Sequence, residues 1–516
     1  MTPRVHDWVA YHASRCPDAP ALTSVERGVT TNWGALEQRV GRLAHLLRHG
    51  FGLQPGDRVA MIAENDTRVL ELQFACMRAG LILVPMNWRL AIGELVTLAR
   101  DAAPKIIVHD DMWQTTAEAV ADTLDIAARV RWSDDLSHSP YDSLIDQQGE
   151  ALPGSSCDEA TLTHILYTSG TTGLPKGALC SQGTLKHHAI NAAHVSRMAE
   201  RGGHHLNIVP LFHAGGLNTM TNPMLYWGGH VTTVRRFDPA TTLRLLTDPA
   251  AGITHLCGVL QMYELITALP QFDACEFPAL RTALFGGWGP NTAWVHQKWQ
   301  DRGFFLQLSY GSTEQGPNVS VLEAGRELAL RNCSGTVVPE TELRLVDADG
   351  LDVARGEIGE IWTRGPAITP GYWNRPREDY FSGEWFRTGD CARQDEAGRL
   401  YIVDRLREVY RSGGENIYPA EVERVLSQAP GVREIAVIAV PDARWGEVGM
   451  AIVEPMPGAT VTLAGLLDHA ADTLARFKHP RHLATIAEMP RNTTLKIDRA
   501  ALKQAFGGAP AVAGTG

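Results

Sequence analysis

The chain has 516 residues and a formal net charge of −11. That length calls for two or more domains rather than one core, and the acidic balance argues against nucleic acid as a partner, which needs a basic face. No apolar run approaches the roughly 20 residues of a membrane helix, Met1 to Asp18 has no signal-peptide core, and the eight cysteines are scattered without a Cys-x-x-Cys, so a reducing cytoplasm is expected.

In chain order, helical spacing predicts an amphipathic helix over residues 5–14 and another over 33–49, where Leu36, Val40, Leu43, Leu46 and Leu47 share a face. A strand follows over 58–62, a helix over 67–78, a strand over 81–84, a helix over 94–101 and a strand over 105–109. This alternation predicts a parallel sheet covered by helices. Residues 134–158, rich in Ser, Asp, Gly and Pro, read as a surface connection. Further strands are expected over 206–209, 230–233, 253–256 and 281–285. From about residue 335, short alternating runs separated by the turns Asp347-Ala348-Asp349-Gly350 and Asp395-Glu396-Ala397-Gly398 predict a β-rich region. Beyond Arg405 comes a small α+β unit with helices over 419–428 and 463–474 and strands over 435–440, 449–454 and 483–486; residues 507–516 read as a frayed tail. The fold class is α/β: a large N-terminal domain of mixed sheets flanked by helices plus a β-rich subdomain, residues 1–404, and a small α+β C-terminal domain, residues 405–516.

The densest chemistry lies in Tyr167-Thr168-Ser169-Gly170-Thr171-Thr172-Gly173-Leu174-Pro175-Lys176-Gly177. It leaves a strand ending in Thr163-His164-Ile165-Leu166 and runs toward a helix expected over 178–189. Glycines let the backbone approach a ligand and turn its N–H groups inward. Hydroxyl side chains and the Lys176 cation complete a cradle for phosphate. It is not a Walker loop, because Pro175-Lys176-Gly177 stands where Gly-Lys-Ser/Thr would be.

Three more stretches carry useful groups. Ser309-Tyr310-Gly311-Ser312-Thr313-Glu314 offers a ring that suits a purine, a hydroxyl for a phosphate oxygen and a carboxylate for Mg²⁺, which takes hard oxygen ligands. It is not a nucleophile elbow, since Gln307 occupies the first glycine position. Asp390, in Trp385-Phe386-Arg387-Thr388-Gly389-Asp390, suits the two hydroxyls of a ribose, with Arg405 in Tyr401-Ile402-Val403-Asp404-Arg405 beside it; on its own this pair reads equally as a hairpin with a surface salt bridge. The glycine-rich Arg411-Ser412-Gly413-Gly414-Glu415-Asn416 is thin enough to line a tunnel. The phosphate loop, the turn Pro210-Leu211-Phe212-His213-Ala214-Gly215-Gly216, Gly286-Gly287-Trp288-Gly289 and residues 309–316 all follow predicted strands. They can share one crevice at the carboxyl ends of a sheet.

In this order the four stretches resemble the acyl-CoA synthetase branch of the adenylate-forming superfamily, over nearly the whole chain from Trp8 to Arg499. The resemblance implies a mobile C-terminal domain that serves two half-reactions. A carboxylic acid and ATP give acyl-AMP and pyrophosphate, then coenzyme A displaces AMP. It implies that Thr168, Ser169, Gly170, Thr171, Thr172, Gly173 and Lys176 hold the phosphates, that Thr168 and Glu314 are Mg²⁺ ligands, and that Thr313 contacts the α-phosphate. Tyr310 and Gly287 would border adenine, and Asp390 and Arg405 the ribose. His213 would sit near the reacting carboxylate, Gly413 and Trp445 at coenzyme A, Arg407 at the hinge, and Lys496 at the adenylation site. Phe212, Leu217, Val259 and Trp288 are candidate walls of an acyl pocket suited to a medium-size apolar, fatty or aromatic acid.

The chain departs from the family spelling at Trp288, where Gly-Gly-Ala-Pro is common, at Leu495, where glycine is usual, and at Leu260, where proline is more usual. The pairs His187-His188 and His204-His205 point apart on a helix or strand and lack further ligands, so a structural role is expected. The basic run Arg476, Lys478, His479, Arg481, His482 reads either as a contact for coenzyme A phosphates or as a solvated face. The competing readings are a stand-alone adenylation enzyme loading a carrier protein, a luciferase-type oxygenase and a silent nucleotide-binding regulator. The sequence leaves room for a homodimer.

Overall fold

A computed structural model describes residues 4–168, 175–200, 202–286, 293–323, 330, 333–412, 415–471, 473–492 and 496–507. The large domain is built on two sheets. In the six-stranded sheet the order is Lys176–Ser181, Leu162–Thr168, Ile82–Met86, Arg58–Ile62, Ile106–Asp110 and Ala128–Trp132. All neighbours are parallel except the first pair, which forms an antiparallel hairpin. In the nine-stranded sheet, strands Gln307–Ser312, Thr282–Gly286, His255–Val259, His204–Asn207, His230–Thr233 and Pro20–Ser24 lie side by side and parallel. Antiparallel strands close both of its edges.

Helix Thr67–Ala79 is buried around nearly its whole circumference. Asp66 caps its start by accepting from the Arg68 amide at 2.8 Å. Gly80 ends it at φ 70°, a left-handed conformation that favours glycine. Such depth forces its polar side chains into pairs. Glu71 accepts from Arg39 Nη2 at 3.1 Å and from the Tyr141 hydroxyl at 2.9 Å, and Gln73 Nε2 donates to Asn222 Oδ1 at 2.6 Å.

Most expected elements appear with their ends shifted by a few residues; the first helix is Trp8–Arg15, capped by Asp7. Two expectations are corrected. Residues 134–158 are not a bare surface connection: they contain helix Pro140–Asp146, with Tyr141 and Ile145 buried against the large core. Two apolar side chains four residues apart suffice to anchor one turn, and the polar average of the stretch conceals them. The helix expected over 178–189 is the second correction. Lys176–Ser181 is a strand, and the helix runs over Gln182–Ser196, capped by Ser181 accepting from Thr184 N at 3.2 Å.

The β-rich subdomain has the order Glu342–Val346, Gly359–Arg364, Trp385–Gln394, Phe381–Ser382, with Leu400–Arg405 paired to Trp385–Gln394. After the short turn Leu406–Glu408 the chain enters the small domain. Its sheet joins Glu415–Ile417, Tyr410–Ser412, Gly446–Pro455 and Val432–Asp442, with His482–Thr485 parallel to Gly446–Pro455. Helices Pro419–Leu426 and Leu463–Ala470 pack Val422, Leu426, Leu466 and Ala470 onto one face of that sheet.

Candidate active site

The phosphate loop joins two antiparallel strands rather than a strand and a helix. Lys176 lies opposite Thr168 in the hairpin register. The short run Gly-Ala-Leu-Cys fits either period, and pairing with Leu162–Thr168 decided it. Ser169, Gly170, Thr171, Thr172 and Gly173 lie outside the described residues. A segment far along the chain completes the hairpin. Leu179 N donates to Gly371 O at 3.0 Å and Trp373 N to Gly177 O at 2.8 Å, and Ala178 bridges Tyr372. Thr369 N donates to Glu314 O at 2.7 Å. Residues 369–373 therefore stitch the Glu314 turn to the lysine strand.

That stitch brings in Tyr372, which sequence reasoning missed. Its hydroxyl donates to Glu314 Oε1 at 2.7 Å, and Thr168 Oγ1 donates to the same oxygen at 3.3 Å. Burial, then Glu314, pushes the phenol far above its ordinary value, so it stays a donor. Lys176 Nζ lies 4.4 Å from the Tyr380 ring centroid and 5.7 Å from that of Tyr372. No ion pair joins Glu314 to a described cation. Its carboxylate and the Thr168 hydroxyl are hard oxygens of the kind Mg²⁺ takes. Thr313 is the half-buried residue just before Glu314.

A second cluster forms where strands from the subdomain meet the Tyr310 turn. Asp390 is 6% exposed. The Tyr310 hydroxyl donates to its Oδ2 at 2.8 Å, and Arg405 Nε lies 3.1 Å from its Oδ1. Asp390 and Arg405 are opposed in the strand register, which sets the pair. Burial raises the Asp390 carboxyl, while Arg405 and the Tyr310 bond pull it down. The Tyr310 ring is embedded with Val319, Leu345 and Ile361.

Lys496 reaches this cluster from the small domain. Lys496 is exposed to solvent, with many protein atoms around its ammonium. Burial first, and then Arg405, lower its pKa, and Asp390 counteracts them. Asn492 holds its loop: Lys496 N donates to Asn492 Oδ1 at 3.1 Å, and Asn492 N to Lys496 O at 2.8 Å. Leu495 lies outside the described residues. His213 is pushed down to about 4 by burial and by the Lys496 charge. Its Nδ1 accepts from Gly215 N at 3.1 Å, leaving Nε2–H as the donor of the neutral ring.

Asn65 holds the His213 turn in place. Its Nδ2 donates to Val209 O at 3.0 Å and to Val234 O at 3.2 Å, and its Oδ1 accepts from Leu211 N at 2.7 Å. This amide follows strand Arg58–Ile62 and so ties one sheet to the other. Of the expected acyl walls, Phe212 is nearly buried, Leu217 is fully within the main core and Val259 is half-buried; Trp288 and Gly287 lie outside the described residues, as does Gly413. Trp445 stands between Arg444 and Arg481, whose guanidinium carbons lie 4.7 and 5.0 Å from its ring centroid. Arg407, in the turn between the domains, has Nε 3.3 Å from Glu408 Oε1.

The paired histidines serve the fold. His187 Nδ1 meets Glu340 at 2.7 Å, His188 Nε2 meets Ala367 O at 2.9 Å, and His204 stacks on His230 with centroids 3.8 Å apart. In the basic run, Lys478 pairs with Glu421 at 2.7 Å and His479 with Leu474 O at 2.9 Å.

A loop between two antiparallel strands, a carboxylate beside a hydroxyl, a buried aspartate with its arginine, and a lysine from a second domain are groups that suit a nucleotide. The family model for AMP-binding enzymes matches residues 9–373, and the model for the AMP-binding enzyme C-terminal domain matches residues 421–496. The chain belongs to the AMP-binding enzyme family. It is similar to feruloyl-CoA synthase from an Amycolatopsis species, with 36% identity over 496 residues covering 95% of this chain and 97% of the relative. It is also similar to indoleacetate–CoA ligase from Aromatoleum aromaticum, with 33% identity over 502 residues covering 96% and 97%. Among solved structures it is similar to ATP-bound MatB from Rhodopseudomonas palustris, with a TM-score of 0.87 and 29% identity covering 98% of this chain and 99% of that one. The protein is an AMP-forming acyl-CoA synthetase. Among the described residues no helix is long and apolar enough to cross a membrane.

Proposed function

We propose that this enzyme activates an aromatic carboxylic acid in the crevice between Glu314, Asp390 and Lys496, and passes the acyl group to coenzyme A after the small domain turns about the segment at Arg407. The observation that carries this reading is the geometry at Asp390, held by the Tyr310 hydroxyl at 2.8 Å and by Arg405 Nε at 3.1 Å, with the Lys496 charge acting on Asp390 and His213 from the small domain. In the first step a carboxylate oxygen attacks the α-phosphorus of ATP and pyrophosphate leaves. Two anions must approach each other, and a preorganised cation lowers that barrier. Burial lowers the Lys496 pKa from its ordinary value, and two incoming anions favour its charged form. Neutral His213 offers its Nε2–H to the carboxylate.

Tyr310 and Arg405 orient Asp390 for the ribose, and Lys176 and the loop at 168–173 hold the phosphates. Glu314 and Thr168 would hold Mg²⁺, which would neutralise charge on the departing pyrophosphate. In the second step the thiol sulfur attacks the acyl carbon, its proton passes to water and AMP leaves. Lys496 must then give way, and Gly413 and Trp445 are assigned to the coenzyme A side. The aromatic assignment rests on the feruloyl-CoA and indoleacetate–CoA relatives and on the apolar character of Phe212 and Val259. Eight free thiols support a cytoplasmic location.

A panel of cinnamic-type, arylacetic and fatty acids in a pyrophosphate-release assay tests the proposal, run with coenzyme A, with an acyl carrier protein and with neither. Aryl acids should lead the ranking, and AMP release should require coenzyme A. A ranking led by fatty acids would overturn the substrate class. Turnover with the carrier protein alone would overturn the acceptor.

A further inference from the structure

Asp404 sits where the large domain ends. It is the penultimate residue of strand Leu400–Arg405 and is 8% exposed. Its Oδ1 accepts from the Arg405 amide at 2.7 Å. Its Oδ2 accepts at 2.7 Å from the amide of Ala420, in the first turn of helix Pro419–Leu426. Pro419 has no N–H, so Ala420 carries the first free amide of that helix. The helix is integral to the small domain. Val422 and Leu426 belong to its core, and Glu423 accepts from Val437 N at 2.6 Å and from Arg499 Nη2 at 2.6 Å.

Between the two bonded residues lies the turn Leu406–Glu408. One buried carboxylate thus binds the last strand of the large domain to the first helix of the small one, across the segment assigned to the hinge. The charged groups around it are Glu423, which repels it, and Arg499, which attracts it; burial is the larger influence and moves its carboxyl up to about 6. It is mostly ionised at pH 7, and hydrogen bonds to an ionised acceptor are the strong ones.

We propose that Asp404 is a positioning residue, a latch that holds the small domain in the arrangement with Lys496 at Asp390, and that its bond to Ala420 breaks when the domain turns. The proposal rests on the two-step reading above. Losing a hydrogen bond to an ionised group shifts an equilibrium by about tenfold to a hundredfold. The latch therefore favours adenylation and opposes the second step.

The test uses the full chain with Asp404→Ala and Asp404→Asn. Three quantities are compared with the parent: acid-dependent pyrophosphate release, conversion of supplied acyl-AMP to thioester, and the distance between fluorophores placed on the two domains without substrates. Asp404→Ala should lower pyrophosphate release by about tenfold, leave thioester formation unchanged or faster, and shift the inter-domain distance. Asp404→Asn, which keeps one acceptor oxygen, should fall between, and it decides the matter by the same ratio if the alanine variant does not fold. An equal fall in both steps, or an unchanged distance, would overturn the latch. A parent chain that makes no acyl-adenylate from any acid would instead defeat the proposed function. A parent that performs both steps, with variants keeping its ratio, defeats the latch alone.

Discussion

Tyr372 donates its phenol to Glu314 Oε1 at 2.7 Å although the two residues are 58 positions apart. The same oxygen receives Thr168 Oγ1, so one carboxylate is aimed by two hydroxyls from two different segments. Removing such an orienting contact beside a metal ligand typically lowers metal affinity or activity by about 10- to 100-fold. Tyr372→Phe should therefore raise the Mg²⁺ concentration needed for half-maximal adenylation by about tenfold while leaving thermal unfolding nearly unchanged. A Mg²⁺ titration of pyrophosphate release decides this; parental dependence would show that Thr168 alone suffices.

Lys496 separates the two half-reactions. Lys496→Ala should lose acid-dependent pyrophosphate release by about 10²–10³-fold, the loss seen when one preorganised electrostatic contact is removed. It should still convert supplied acyl-AMP to the thioester. Normal acyl-AMP formation by this variant would send the search to another basic residue.

Glu264 on helix Leu260–Thr267 feels the charges of Glu434 and Arg491 of the small domain. Burial, then the Glu434 charge, raises its carboxyl to about 7, and Arg491 counteracts them. In a rotated arrangement that burial is lost and an ordinary carboxylate value returns. The observed arrangement is then fully favoured below the ordinary carboxylate value of 4.5 and loses that advantage as pH rises from there to about 7. Adenylation relative to thioester formation should fall as pH rises from the ordinary carboxylate value of 4.5 to about 7 and level off above it, and Glu264→Gln should flatten that profile. The same slope in both enzymes would exclude Glu264 as its source.

Four buried histidines should make the fold sensitive to acid. His164 and His205 are pushed down to about 3 and His188 and His255 to about 4, in each case chiefly by burial. The unfolded chain binds these protons from about pH 6.5 downward, and the native one does not. Stability is therefore complete above that pH and falls below it, by on the order of 1.4 kcal/mol per pH unit for each histidine. Urea midpoints measured from pH 7.5 to 5.5 should decline; a flat profile would show that the rings find proton-compatible partners.

Regular alternation made the strands and helices of the large domain readable, because the apolar period is carried by each segment itself. His230–Thr233 and Arg58–Ile62 were found to the residue. Residues 178–181, expected at the start of a helix, are strand because their run is too short to favour one period, and only the partner strand chose. Helix Pro140–Asp146 escaped notice for a similar reason: two anchors among polar residues give little signal until a core receives them.

The sequence by itself determined the chemical inventory: Thr168, Lys176, Glu314, Asp390, Arg405 and Lys496 stand in motifs whose spacing is local, and the resemblance drawn from them agrees with the family found. Tertiary structure alone decided who meets whom. Tyr372 reaches Glu314 because residues 371–373 add to the hairpin edge. Tyr310 serves Asp390 because a turn and a strand 80 positions apart share a core. Asn65 steadies the His213 turn because two sheets abut. Such contacts depend on long-range backbone pairing and packing, for which no single segment carries the pattern.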